Sequence, residues 1–177
     1  MPLIRPSSAE DVAQIAAIYE HHVLNGTGTF EIDPPSPADM AARRDDVLGK
    51  GLPFLVLEDE GAVCGYAYCN WFKPRPAYRF SAEDSIYLAP QAAGRGWGRL
   101  LLAELVARAE RAGVRSLIAV IGDSDNAASI ALHRGCGFSQ AGLLPGCGWK
   151  FGRWLDVVLM QRAIGAGQNM PPAQSAP

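Results

Sequence analysis

Apolar positions along the chain change period several times, and each change marks an element. Leu3 to Pro6 reads as a short first strand. Val12, Ile15, Ala16, Ile18 and Tyr19 then fall on one helical stripe, with Ser8 placed to cap it. Asn25 to Pro35 is rich in Gly, Thr and Pro and reads as a loop with Phe30 at its centre. Ser36-Pro37 supplies a cap and a proline at the first helical position, which predicts a helix to about Gly49. Phe54 to Glu58 and Ala62 to Trp71 form a hairpin around Asp59-Glu60-Gly61. Lys73 to Phe80 is a loop, and Ala82 to Leu88 a further strand. Arg99 to Ala112 is strongly helical, and Leu117 to Ile121 is a short apolar strand. A helix then follows Asp123 to Asn126 and is closed by Gly135. Phe138 onward is strand-like, and Leu155 to Met160 is the last strand. The order β-α-α-β-β-β-α-β-α-β-β mixes hairpins with strand–helix–strand units, so the sheet is expected to be mixed. Residues 1–164 read as one domain, and 165–177 as a disordered tail rich in Gly, Pro, Ala and Gln.

One junction carries chemistry. The strand end Ile86-Tyr87-Leu88 runs into Gln91-Ala92-Ala93-Gly94-Arg95-Gly96-Trp97-Gly98 and then the helix containing Arg99. Glycines let the backbone approach a ligand, and the unpaired N–H groups of a first helical turn attract anions. Arg95 and Arg99 add fixed charge, so a phosphorylated cofactor is expected here. The spacing G-x-G-x-G in mid-chain is not the dinucleotide fingerprint, and no Gly-Lys-Ser/Thr follows. A tight turn without a ligand is the bland alternative.

Composition narrows the classes. With 177 residues, 49% hydrophobic and 19% charged, the chain suits one soluble domain. A formal net charge of -2 argues against nucleic-acid binding. No apolar stretch is long enough to span a membrane, and no secretory leader is seen, so a cytoplasmic protein is expected. Cys64, Cys69, Cys136 and Cys147 lack zinc-ligand spacing and read as reduced thiols. His21 and His22 are adjacent and point apart on a helix, so no metal site is expected.

A second motif runs from Asn126 through Ser129 to His133, then Gly135-Cys136-Gly137-Phe138. Asn126 and Ser129, one turn apart, are placed to bond an extended ligand; alternatively Asn126 only caps the helix and Ser129 faces solvent. Together with Q-x-x-G-x-G, this motif resembles the GNAT superfamily of acyl-CoA-dependent N-acetyltransferases. The blocks Glu83-Asp84-Ser85-Ile86-Tyr87, Ala119-Val120-Ile121-Gly122, Leu132-His133 and Lys150-Phe151-Gly152-Arg153-Trp154-Leu155-Asp156 more closely resemble its phosphinothricin and methionine sulfone/sulfoximine acetyltransferases. The similarity covers nearly the whole chain except the tail, and it weakens at Phe72-Lys73-Pro74-Arg75-Pro76.

The resemblance implies a three-layer αβα GNAT fold of the α+β class, with a mainly antiparallel sheet of about six to seven strands flanked by helices. It implies acetyl-CoA as co-substrate, small amino-acid analogues as acceptors and a homodimer. Glu83 is expected as general base, because a carboxylate at the mouth of an apolar strand has a raised pKa. Asp84, on the opposite face by strand alternation, is then the solvated acid. Backbone groups from Ile86 to Leu88 are expected to hold the pantetheine arm and polarise the thioester. His133 stands where many members carry a leaving-group acid, or else packs on the cofactor. Arg75, Arg79, Lys150 and Arg153 are candidate cations for the acceptor's acidic groups, Arg79 foremost, with Phe30 and Tyr78 as an apolar wall. An N-terminal protein acetyltransferase and a non-catalytic acyl-CoA sensor are the rival readings.

Overall fold

The computed structural model describes residues 2–172. Seven strands form one sheet: β1 (Leu3–Pro6), β2 (Phe54–Asp59), β3 (Ala62–Trp71), β4 (Ser81–Leu88), β5 (Ser116–Gly122), β6 (Ser139–Lys150) and β7 (Arg153–Ala163). Their spatial order is β1-β2-β3-β4-β5-β7-β6. Every neighbouring pair is antiparallel except β4 and β5. The helices are α1 (Val12–Asn25), α2 (Pro37–Gly49), α3 (Trp97–Arg111) and α4 (Ala127–Gly135). The element order therefore matches the order read from the sequence.

Local chemistry accounts for the boundaries. Ser36 Oγ accepts from the Asp39 N–H at 3.2 Å, the Asp39 carboxylate returns to the Ser36 N–H at 2.9 Å, and Pro37 follows the cap. Glu60 and Gly61 both have positive φ, 51° and 80°, as the two-residue turn between β2 and β3 requires. Ser8 precedes a single 3-10 turn, Ala9–Asp11, and α1 proper begins at Val12.

The sheet is covered on both faces. α1 packs through Tyr19 on Tyr87, with ring centroids 4.9 Å apart. α3 packs through Gly98, where an added Cβ would come within 3.3 Å of Leu88. Tyr87 and Leu88 are consecutive in β4, so the two helices lie on opposite faces. Leu55, Val56 and Leu57 of β2 are at most 1% exposed, because both of their faces are covered. Burying a side chain of this size contributes about 2 kcal/mol. After β7 the chain turns, with the Gly167 N–H donating to Ile164 O and the Asn169 N–H to Ala166 O. The expected tail thus begins with ordered turns, and residues 173–177 lie outside the described residues.

Candidate active site

The sheet comes apart at its one parallel junction. β4 and β5 pair only over Ser81–Asp84 and Ser116–Ala119, so among the described residues no strand lies beside Ser85 to Leu88 there. On the other side, Ser81 O accepts from the Phe72 N–H at 3.0 Å and the Ala89 N–H donates to Cys64 O at 2.9 Å. Backbone groups alternate along a strand, so odd-numbered residues face β3 while Ile86 and Leu88 turn theirs into the gap. A buried N–H or C=O without a partner is costly, and this open edge suits an extended amide-bearing ligand. His22 already donates Nε2–H to Leu88 O at 2.8 Å; burial lowers its pKa, which fits a neutral ring.

The gap opens towards the glycine loop. Gly94 and Gly96 adopt φ of 76° and 75°, a region costly for residues with a Cβ. α3 begins at Trp97, two residues before the expected start, and Gly96 caps it with no side-chain bond. The first intrahelical acceptor, Gly96 O, serves Arg99 and Leu100, which leaves the Trp97 and Gly98 N–H groups free for an anion. These residues fit a pyrophosphate. Gly94, Gly96, Trp97, Gly98 and Arg99 line the cleft. Gln91 and Arg95 do not: both are exposed, and Arg95 stacks on Trp97 at 4.7 Å.

Asn126 and Ser129 also line the cleft. Asn126 Oδ1 accepts from the Ser129 N–H at 3.2 Å, so Asn126 is the cap of α4 that the bland reading described. His133 is 3% exposed, with Nδ1 bonded to Ser129 O at 2.8 Å and Nε2 to Asp84 Oδ2 at 2.9 Å. A carbonyl only accepts, so Nδ1 carries a hydrogen and one further proton lies between Nε2 and Asp84. Burial alone would lower the His133 pKa, but the hydrogen bond and charge of Asp84 outweigh it and the net shift is upward. Both ring nitrogens are occupied, which leaves the ring no free N–H for a thiolate.

The two acids are divided as alternation requires, but the expectation that Asp84 is the solvated one is wrong. Asp84 is 7% exposed, faces α4 and, like His133, also borders the cleft; its Oδ1 has no partner among the described residues. Glu83 is half-buried on the opposite face and lines the cleft. Burial raises its pKa, Asp84 adds to the rise, and Lys73 only partly opposes it.

The cleft encloses about 860 Å³ and joins the glycine loop to Glu83. Phe30 lines it, its ring lying against the backbones of Gly122 and Gly148, where any Cβ would collide. The other expected acceptor residues lie elsewhere. Lys150 is 3% exposed and donates to Gly26 O and Thr29 O, both at 2.9 Å, so it pins the loop after α1 and cannot reach a ligand. Arg153 pairs with Asp123 at 2.7 Å. Arg75, Tyr78 and Arg79 are exposed outside the cleft; Arg79 lies over Phe80 and donates to Pro76 O. Tyr19, His22, Arg43 and Tyr68, which sequence reasoning missed, line the cleft. Only Tyr19 gave a signal, as part of the apolar stripe of α1.

Known proteins resemble the chain over nearly its whole length. The Acetyltransferase (GNAT) family model matches residues 15–138. The chain is 52% identical over 169 residues to a phosphinothricin N-acetyltransferase of Alcaligenes faecalis, covering 96% of this chain and 86% of that protein. It is 39% identical to an L-methionine sulfoximine/L-methionine sulfone acetyltransferase of Pseudomonas aeruginosa, with 98% of each chain covered. The crystal structure of a GNAT superfamily phosphinothricin acetyltransferase from Sinorhizobium meliloti in complex with AcCoA superposes with a TM-score of 0.95. That protein is 48% identical, over 99% of this chain and 95% of its own.

Proposed function

The chain belongs to the acetyltransferase (GNAT) family and is an N-acetyltransferase, and from that premise we propose that it acetylates the α-amine of small amino-acid analogues such as phosphinothricin, methionine sulfone and methionine sulfoximine. The observation that carries this is one cleft joining a half-buried, pKa-raised Glu83 to the open β4 edge and the glycine loop. The names of the relatives point to the same acceptors.

Acetyl-CoA supplies an acyl group activated as a thioester. The Trp97 and Gly98 N–H groups, with Arg99, take its pyrophosphate, and the Ile86 and Leu88 edge takes the pantetheine amides. An α-ammonium is mostly protonated at neutral pH, so Glu83 removes its proton, directly or through a water. The freed amine attacks the carbonyl carbon directly: a C–N bond forms, the nitrogen gives up its second proton to water, the C–S bond breaks and the thiolate departs. An N–H on the open β4 edge stabilises the developing oxyanion. His133, with both nitrogens engaged, holds Asp84 and the start of α4 in place; the thiolate takes its proton from water at the cleft mouth.

We also propose a cytoplasmic homodimer. Leu143, Leu144, Trp149, Phe151 and Trp154 of the β6–β7 hairpin are 45–65% exposed, an apolar patch that suits a second copy. A part for Arg75, Tyr78 or Arg79 in acceptor binding requires that copy. The free cysteines fit a reducing compartment.

The test is thiol release from acetyl-CoA with phosphinothricin, methionine sulfone, methionine sulfoximine and a short peptide as separate acceptors. Turnover with the analogues and none with the peptide is expected. Turnover with the peptide alone refutes the proposal.

A further inference from the structure

An amino-acid acceptor brings a carboxylate close to its amine, and a carboxylate leaving water needs a cation with N–H donors. Among the described residues, only two Lys or Arg side chains line the cleft, Arg43 and Arg99. Arg99 stands in the first turn of α3, beside the glycine loop. Arg43 comes from α2 and sits over the Tyr19 ring at 5.3 Å. Tyr19 packs on Tyr87, an odd-numbered β4 residue like Glu83, and Tyr68 is paired across the sheet with Ser85. Alternation puts Glu83, Ser85, Tyr87 and Tyr68 on one face, so Arg43 shares the wall that carries the base. Lys150 and Arg153 are committed elsewhere, and Arg75, Arg79 and Lys73, whose charge acts on Glu83, do not line the cleft.

Resting on the acceptor reading above, we propose that Arg43 binds the acceptor's carboxylate while Glu83 faces its amine, and that Glu31 occupies Arg43 until the acceptor arrives. Arg43 Nη2 donates to Glu31 Oε1 at 2.8 Å. A guanidinium has five N–H donors in a planar fork, so one bond to Glu31 leaves room for bidentate capture. The Glu31 side chain is 37% exposed on the loop between α1 and α2, and a pair this open to water exchanges at little cost. The Tyr19 ring, 5.3 Å from the guanidinium carbon, adds a cation–π attraction that holds the cation at this wall.

The experiment is calorimetric titration of methionine sulfone and of its carboxamide into the CoA-loaded wild type, Arg43→Gln and Glu31→Gln proteins. CoA affinity serves as the control for folding. Arg43→Gln is expected to weaken the acid by about 30-fold and the carboxamide by no more than about threefold. Glu31→Gln is expected to bind the acid at least as tightly as wild type. Equal weakening of acid and carboxamide by Arg43→Gln, or the same loss in Glu31→Gln, would show that the pair only latches the loop and would overturn the proposal. A wild type that binds the acid, with Arg43→Gln binding it equally well, overturns it while leaving the acceptor reading intact. A wild type that binds CoA but neither acceptor overturns both.

Discussion

Glu83 and Asp84 are consecutive carboxylates on one strand, and the two faces of the sheet treat them differently. Asp84 is buried against α4 and bonded to His133. Glu83 is left half-buried in the cleft, and burial, not a hydrogen bond, dominates its environment. Asp84 Oδ2 has found a partner in His133, which suits a structural part; Glu83 has no such partner, which suits the base proposed above. Side-chain chemistry is nearly identical at the two positions, so the role is assigned by the face.

Substitution of each acid sharpens the contrast. Glu83→Gln should lower kcat by about 10²–10⁴, the usual contribution of a general base, with acetyl-CoA affinity unchanged. The same change removes an unpartnered, partly desolvated carboxylate, so Tm should rise. On the other face, Asp84→Ala leaves the buried His133 Nε2 without its partner. It should cost about 3 kcal/mol, a fall in Tm of about 6–12 °C by thermal melting.

The faces should also separate in pH. Glu83 must be ionised to act, so kcat rises with pH through its raised pKa. His133 has its pKa raised in the fold, so its contribution to stability is fully present below the ordinary imidazole value of about 6.5. That contribution is lost as pH rises through the folded-state value. Activity should therefore rise with pH through the Glu83 limb, while the His133 increment of stability is lost only at the higher pH where that ring deprotonates. Parallel melting and turnover series check the opposite signs.

Smaller effects mark the boundaries of the cleft. Gly98→Ala would press a methyl to 3.3 Å from Leu88 and 3.4 Å from Leu132, so it should destabilise by about 1 kcal/mol or more. Arg79→Ala, outside the cleft of its own chain, should change the KM for the acceptor by less than about threefold if no second copy brings it into play. A larger change would support a shared site.

Local rules explain what was legible in the sequence. The Ser36-Pro37 cap, the Glu60-Gly61 turn and the glycine loop are read within a few residues, and each stands where expected. The misplaced residues are the ones whose roles depend on distant partners. Lys150 looked like a free cation, yet its amine reaches back to Gly26 and Thr29. His133 finds Asp84 across 49 positions. Arg43 gave no signal in the sequence, although it stands between the buried Met40 and Val47 of α2, because no periodicity reveals where a long side chain ends. Glu83 could be chosen over Asp84 by resemblance, but not the reason for the choice, which lies in the packing of α4.

The most direct test of the division between the faces is the pH profile of kcat for methionine sulfone in wild type, Glu83→Gln and Asp84→Asn at saturating acetyl-CoA. The rising limb at low pH should be present in wild type and in Asp84→Asn and absent from a much slower Glu83→Gln. A Glu83→Gln protein that keeps both the limb and the wild-type rate would contradict the account.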